Sequence, residues 1–308
     1  MTAAATSSPE LLLRDILFVL NPVSGDIDKT KLEETISRYC TEHGRTARFH
    51  HTCGHDDLGE LRAALQQRPP DAAFAAGGDG TASLVAEALV GSPIPLGILP
   101  LGSGNGLSKD LGIPQEVEEA LRLVWEHEVR VIDTLRVGGK FSAHLADLGF
   151  NAVVVEEFDQ GKVRGPAAYV RIATQTYLSY SPATYHVETD AETWEGAAFM
   201  LTIANAATFG SNVIINPDSQ LDDGQFEICV IEPFPGTAAP GILYRLYTSG
   251  FDRSDYTRRL RCRWARITVP GQPEVLVQVD GEPYHLPAPV EVSIAPRSLR
   301  VLVPPAAR

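Results

Sequence analysis

An α/β domain followed by a mostly antiparallel β-sandwich domain is what this sequence predicts, on three observations. Apolar runs at 16–20, 72–76 and 95–101 each end in a loop rich in Gly, Ser and Asn. Amphipathic segments at helical spacing separate them, the alternation of a doubly wound sheet. Beyond Asp133 the rhythm changes to short strand-like runs punctuated by turn residues.

The elements follow in order. The run 16–20 closes on Asn21-Pro22-Val23-Ser24-Gly25. Leu32, Ile36 and Tyr39 mark a helix over 29–43, and Leu58, Leu61 and Leu65 mark another over 57–67; each gives way to a short apolar strand. Residues 72–76 lead into Gly77-Gly78-Asp79-Gly80-Thr81 and a helix over 82–90, and residues 95–101 lead into Gly102-Ser103-Gly104-Asn105-Gly106 and a helix over 115–126. Strands are then expected at 134–137, 141–148, 184–188, 198–204, 226–231, 266–269, 275–279, 290–294 and 299–303, interrupted by helices near 167–180 and 239–251. The domains divide as 11–133 and 134–303.

In an open parallel sheet, loops after the strands fall at the carboxyl edge, where ligands bind, so the three loops converge on one crevice. Glycines there let successive backbone N–H groups close on an anion, and a helix start adds its unpaired donors. The binding positions are Asn21, Pro22, Ser24 and Gly25 in the first loop, Gly77, Gly78, Asp79, Gly80, Thr81, Ala82 and Ser83 in the second, and Ser103, Gly104 and Asn105 in the third. Asp79 points beyond anion capture. A carboxylate in a phosphate loop repels the ligand unless it holds Mg²⁺ or accepts a proton, which suggests phosphoryl transfer. No Walker loop and no dinucleotide fingerprint after the first strand is present.

These loops, with the stretch 99–114, Leu148-Gly149-Phe150-Asn151-Ala152, Leu221-Asp222-Asp223-Gly224 and Val279-Asp280-Gly281-Glu282, resemble the diacylglycerol kinase catalytic-domain superfamily, which includes bacterial lipid kinases and sphingosine and ceramide kinases. The resemblance spans nearly the whole chain. It implies ATP and Mg²⁺ as cofactors, transfer of the γ-phosphate to a primary hydroxyl of a diacylglycerol-like or sphingoid lipid, and an active site in the interdomain cleft. It also implies a nucleotide contact at Thr52, which on its own reads equally as a turn threonine.

Gly281 lets one strand end display the carboxylates of Asp280 and Glu282, and a hydroxyl nucleophile needs positioning and a proton acceptor. The resemblance places the general base in this triplet. Glu282 is favoured and Asp280 is the orienting or alternative base, although an Asp-Gly pair is also an ordinary hairpin signal. The turn at 221–224, by the same resemblance, holds a Mg²⁺ away from the phosphates through the Asp223 carboxylate and the carbonyls of Gln220 and Gln225. One departure stands out: Gly106 lies where many diacylglycerol kinases have an Asp that helps organise Mg²⁺. Lys109 and Arg164 are candidates for cationic help near the phosphates.

Other readings remain. NAD kinases share the Gly-Gly-Asp-Gly-Thr loop, but the loop at 102–105 and the 280–282 triplet discriminate against them. A catalytically idle nucleotide-binding regulator is kept open by Gly106 and disfavoured by Asp79 and the triplet.

The 308 residues, 44% hydrophobic and 21% charged, suffice for two cores. A net charge of −13 argues against a nucleic-acid partner and a polybasic anchor, so peripheral contact with a lipid surface must be local. No apolar run approaches the roughly 20 residues that cross a bilayer. The small, polar start lacks a signal-peptide pattern, and Cys40, Cys53, Cys229 and Cys262 show no pairing framework; both suit a cytoplasmic enzyme that visits the membrane. His50, His51, Cys53 and His55 crowd together but match no usual zinc spacing. The oligomeric state is not written in the sequence, and a homodimer is left open.

Overall fold

The structure, a computed structural model, describes residues 12–22, 29–161, 166–209 and 213–305; Ser24, Gly25 and Arg164 lie outside the described residues. Parallel strands Thr46–His51, Asp15–Leu20, Ala72–Gly77 and Leu96–Pro100 lie side by side in that order. All six residues of Ala72–Gly77 are buried, as an uninterrupted apolar run between two helical layers demands. Four alanines and Gly77 leave the width to Phe74, whose ring lies 5.1 Å from that of Phe18. Glycine at 97 admits that ring, because a Cβ there would stand 2.4 Å from it.

The second half is an antiparallel sandwich. One sheet runs in the order Thr257–Cys262, Phe226–Ile231, Met200–Ala204, Leu145–Gly149, Glu274–Val279, Glu282–Pro287. The facing strands Trp264–Thr268, Ala183–Thr189 and Thr193–Ala198 continue the N-terminal sheet, with Val290–Val303 as the join. Val187, Leu201, Ile203, Ile228, Val277 and Val292 fill the space between the layers without exposure.

Some elements differ from expectation. The runs 290–294 and 299–303 form one strand, Val290–Val303, whose register against Glu128–Val137 shifts between Ala295 and Leu299. Pro296 and the positive φ of Arg297 make a bulge there, not an end, and Asp133 holds it by accepting from the Arg297 N–H at 2.6 Å. The stretch 141–148 divides into Lys140–Ser142 and Leu145–Gly149. Residues 150–160 form a helix although Val153, Val154 and Val155 favour strand locally; Val154 packs buried and overrides the preference. The helix expected over 115–126 is an α-helical turn, Val117–Ala120, continued as the 3₁₀ segment Leu121–Val124.

Candidate active site

Parallel pairing sets the three loops at one edge of the sheet. Leu20 pairs with Ala76 and with His51, so Asn21 and Thr52 leave the sheet together. Thr52 is buried, and its N–H donates to the Leu20 carbonyl at 3.0 Å. The second and third loops touch: the Leu101 N–H donates to the Gly77 carbonyl at 2.8 Å, and a Cβ on Gly102 would stand 2.6 Å from the Gly78 Cα. Only paired glycines permit that approach. A Cβ on Gly77 would meet the Thr81 hydroxyl at 2.2 Å, so the strand also turns into its helix on glycine.

The helix Asp79–Leu89 begins inside the loop, three residues before the expected start, and its first turn carries N–H groups without intrahelical acceptors. Asp79 faces the third loop. Its two oxygens accept from the Asn105 N–H at 2.9 Å and the Gly106 N–H at 2.7 Å. Asn105 takes a positive φ of 54° and closes its loop by accepting from the Gly102 N–H and donating to the Gly102 carbonyl. A carboxylate has about four acceptor sites, so each Asp79 oxygen keeps one beyond its N–H partner and the residue fits a role beside a phosphate-bound Mg²⁺. Ser103 is exposed at the loop tip, and Ala82 and Ser83 follow on the helix.

The Asp280-Gly281-Glu282 turn reaches these loops from the sandwich, and its two carboxylates have different environments. Asp280, 9% exposed, accepts from Ser83 Oγ, Ser142 Oγ and the N–H groups of Ala143, His144 and Leu145 at 2.7–3.3 Å. The break at Ala143–His144 aims those N–H groups at one carboxylate. Glu282 is exposed; its Oε2 accepts from Tyr284 Oη at 2.7 Å, and its Oε1 lies 3.6 Å from where a Cβ on Gly80 would stand. Gly281, at φ 92°, donates its N–H to Gln278 Oε1 at 2.7 Å. Gln278 in turn donates to Asp147, which also takes bonds from Thr202 and Asn151. Burial pushes the Asp147 carboxyl up to about 6, against the pull of those donors. Sequence reasoning missed Asp147 and the bond from Ser83, which reach the turn through contacts distant in sequence, and Gln278, whose side chain bonds the turn from three residues away.

At the 221–224 turn the Asp223 carboxylate is already bonded within the chain. Arg261 donates to the Asp223 carboxylate, whose other oxygen accepts from the Gln225 N–H at 2.9 Å. The guanidinium supplies the charge a metal would bring, and Gln220 stands exposed at the start of the turn. Added Mg²⁺ should therefore leave the melting temperature of the nucleotide-free chain within about 1 °C. A saturable rise that Asp223→Asn abolishes would show a metal at this turn. The histidines near Cys53 also go separate ways: His51 pairs with Glu33 at 2.8 Å, while the exposed Cys53 gathers with Asp57 and Glu60. Asp57 accepts from the N–H groups of Cys53 and Gly54, which ties this group to the turn that starts its helix.

Known proteins repeat this architecture. Residues 15–137 match the diacylglycerol kinase catalytic domain, and residues 145–303 match the YegS C-terminal NAD kinase beta sandwich-like domain. A "Probable lipid kinase YegS-like" protein of Pseudomonas aeruginosa is 32% identical over 234 residues, 75% of this chain and 76% of that protein. An uncharacterized protein of Synechocystis is 34% identical over 237 residues, 75% of this chain but only 54% of its own length. The crystal structure of a diacylglycerol kinase from Bacillus anthracis superposes with a TM-score of 0.75, covering 96% of this chain and 99% of that one at 19% identity, a likeness of fold. Two domain matches in sequence order and a relative aligned over three quarters of its length establish that this chain belongs to the YegS-like lipid kinase family, with a diacylglycerol kinase catalytic domain.

Proposed function

We propose that the chain is an ATP-dependent lipid kinase that transfers the γ-phosphate to a primary hydroxyl of a diacylglycerol-like or sphingoid lipid. One observation carries this reading: Glu282 has one oxygen held by Tyr284 and the other turned toward Gly80, at the start of the second phosphate loop's helix. That oxygen suits an acceptor hydroxyl approaching a terminal phosphate. The hydroxyl proton passes to Glu282 as the lipid oxygen bonds to phosphorus, and the bond from phosphorus to the bridging oxygen breaks to release ADP. Asp79 would hold a Mg²⁺ brought by ATP, which would supply charge neutralisation for the phosphates. Phosphorylation from radiolabelled ATP across diacylglycerol, monoacylglycerol, sphingosine, ceramide and NAD tests the proposal. Labelling of NAD alone, or of none, overturns it.

The substrate sits in a bilayer, so the enzyme must reach a lipid surface. No helix among the described residues is long and apolar enough to cross one. Helix Pro166–Ser179 exposes Val170 and Leu178, and helix Ala239–Tyr247 exposes Leu243, Tyr244 and Tyr247. Tyr177 of the first helix stacks on Phe234, in the segment that leads toward the second. With Leu178 82% and Tyr244 69% exposed on a chain of net charge −13, apolar insertion, not attraction to anionic lipid, holds it at the membrane. Leu178→Glu with Tyr244→Glu should lower cosedimentation with phosphatidylcholine vesicles by about threefold or more, leaving turnover of a short-chain soluble diacylglycerol within about twofold. Equal sedimentation of both proteins would remove this face from the proposal.

A further inference from the structure

The geometry points to His144 as a positioning residue for the nucleotide's phosphates: its ring stands where a side chain at position 106 would stand and braces the N–H groups that hold Asp79. This rests on the reading of Gly77–Thr81 as the phosphate loop. A Cβ on Gly106 would lie 2.3 Å from His144 Cε1 and 3.0 Å from Nδ1. The ring cannot withdraw easily. Its Nε2 pairs with Asp110 at 2.9 Å, with both side chains at most 10% exposed, and Asp110 is clamped by the N–H and hydroxyl of Thr208 at 3.2 and 3.0 Å. The His144 backbone N–H meanwhile donates to Asp280.

One residue thus touches both sides of the cleft. Its ring sets how deep the helix Gly106–Asp110 begins, and so where the Gly106 N–H meets Asp79; its backbone helps fix the turn that carries Glu282. Charge follows geometry. Burial pulls the His144 pKa down, but the hydrogen bond and charge of Asp110, with Asp280 and Asp79 behind it, raise it above the ordinary value. The departure at Gly106 is therefore one half of an exchange: a side chain is absent at 106, and the ring of His144 takes its space.

The test compares the parent, His144→Ala, Gly106→Ala and the double variant by calorimetry with Mg²⁺ and a non-hydrolysable ATP analogue, and with adenosine. His144→Ala should weaken the analogue by about tenfold and adenosine by less than about twofold, because the ring acts on the phosphate end alone. Gly106→Ala should cost about tenfold in the parent and less than about twofold in the His144→Ala background, a coupling that a general loss of structure does not produce. His144→Gln, which can bond Asp110 but lacks the ring that fills the space beside Gly106, replaces the alanine variant should that fail to fold, and is expected to lose about tenfold as well. Parental affinity in either His144 variant, or an equal cost of Gly106→Ala in both backgrounds, overturns the inference and spares the phosphate-loop reading. A parent that binds adenosine but gains nothing from the phosphates overturns that reading instead, and this inference with it.

Discussion

Glu282→Gln should lower the single-turnover transfer rate by roughly a hundredfold or more at saturating ATP, the usual scale for losing a general base. ATP affinity should stay near the parental value, because Glu282 is exposed and its bond from Tyr284 survives in the amide through the retained oxygen. Asp280→Asn should fail differently. Five donors converge on Asp280, and an amide nitrogen in place of one oxygen turns against some of them, at a cost of roughly 1–3 kcal/mol in stability for a buried donor left unmet. Rapid-quench kinetics beside thermal melts separates the two. A Glu282→Gln enzyme at the parental rate, beside a well-folded but inactive Asp280→Asn enzyme, would reverse the assignment of base and anchor.

Asp79→Asn should be as severe and should show in both binding and chemistry. The carboxylate presents one oxygen to the Asn105 N–H and the other to the Gly106 N–H, whereas an amide can accept from one and must oppose the other. The third loop then loses its hold on the second, and the charge beside the phosphates is gone. Transfer should fall by at least about a hundredfold, with weaker affinity for the ATP analogue. Near-normal turnover would remove Asp79 from the site.

Legibility in the sequence followed distance along the chain. The three phosphate-type loops could be read because strand, glycine turn and helix start are each written within about ten residues, and parallel topology then brings them together without further information. The triplet at 280–282 was equally visible, but the division of labour within it was not. Whether Asp280 is a base or an anchor depends on Ser83 and on residues 142–145, more than a hundred positions away. Gly106 stood out as a departure, yet its reason is the ring of His144, which arrives from beyond the domain boundary. The turn at 221–224 was read as a cation site by resemblance alone, and the bond that Arg261 brings to its carboxylate from the adjacent strand Thr257–Cys262 lies outside what the turn's own residues show. The bulge at Ala295 to Leu299 read as a strand end because proline and a left-handed residue interrupt the run, and only the pairing with Glu128–Val137 shows that it continues.

The strand Val290–Val303 carries a mechanical consequence. It lies antiparallel to Glu128–Val137 over most of its length, and near its end Val301 also meets Leu96 in parallel, so two strands knit the halves of the chain where a linker could have run. A linker would let the halves swing; two crossing strands resist swinging as a keel resists bending. A fragment ending at Val137 would leave the Leu96–Pro100 strand with a bare edge, an open invitation to pair with a neighbour, so the N-terminal half severed from its tail should aggregate before it binds anything.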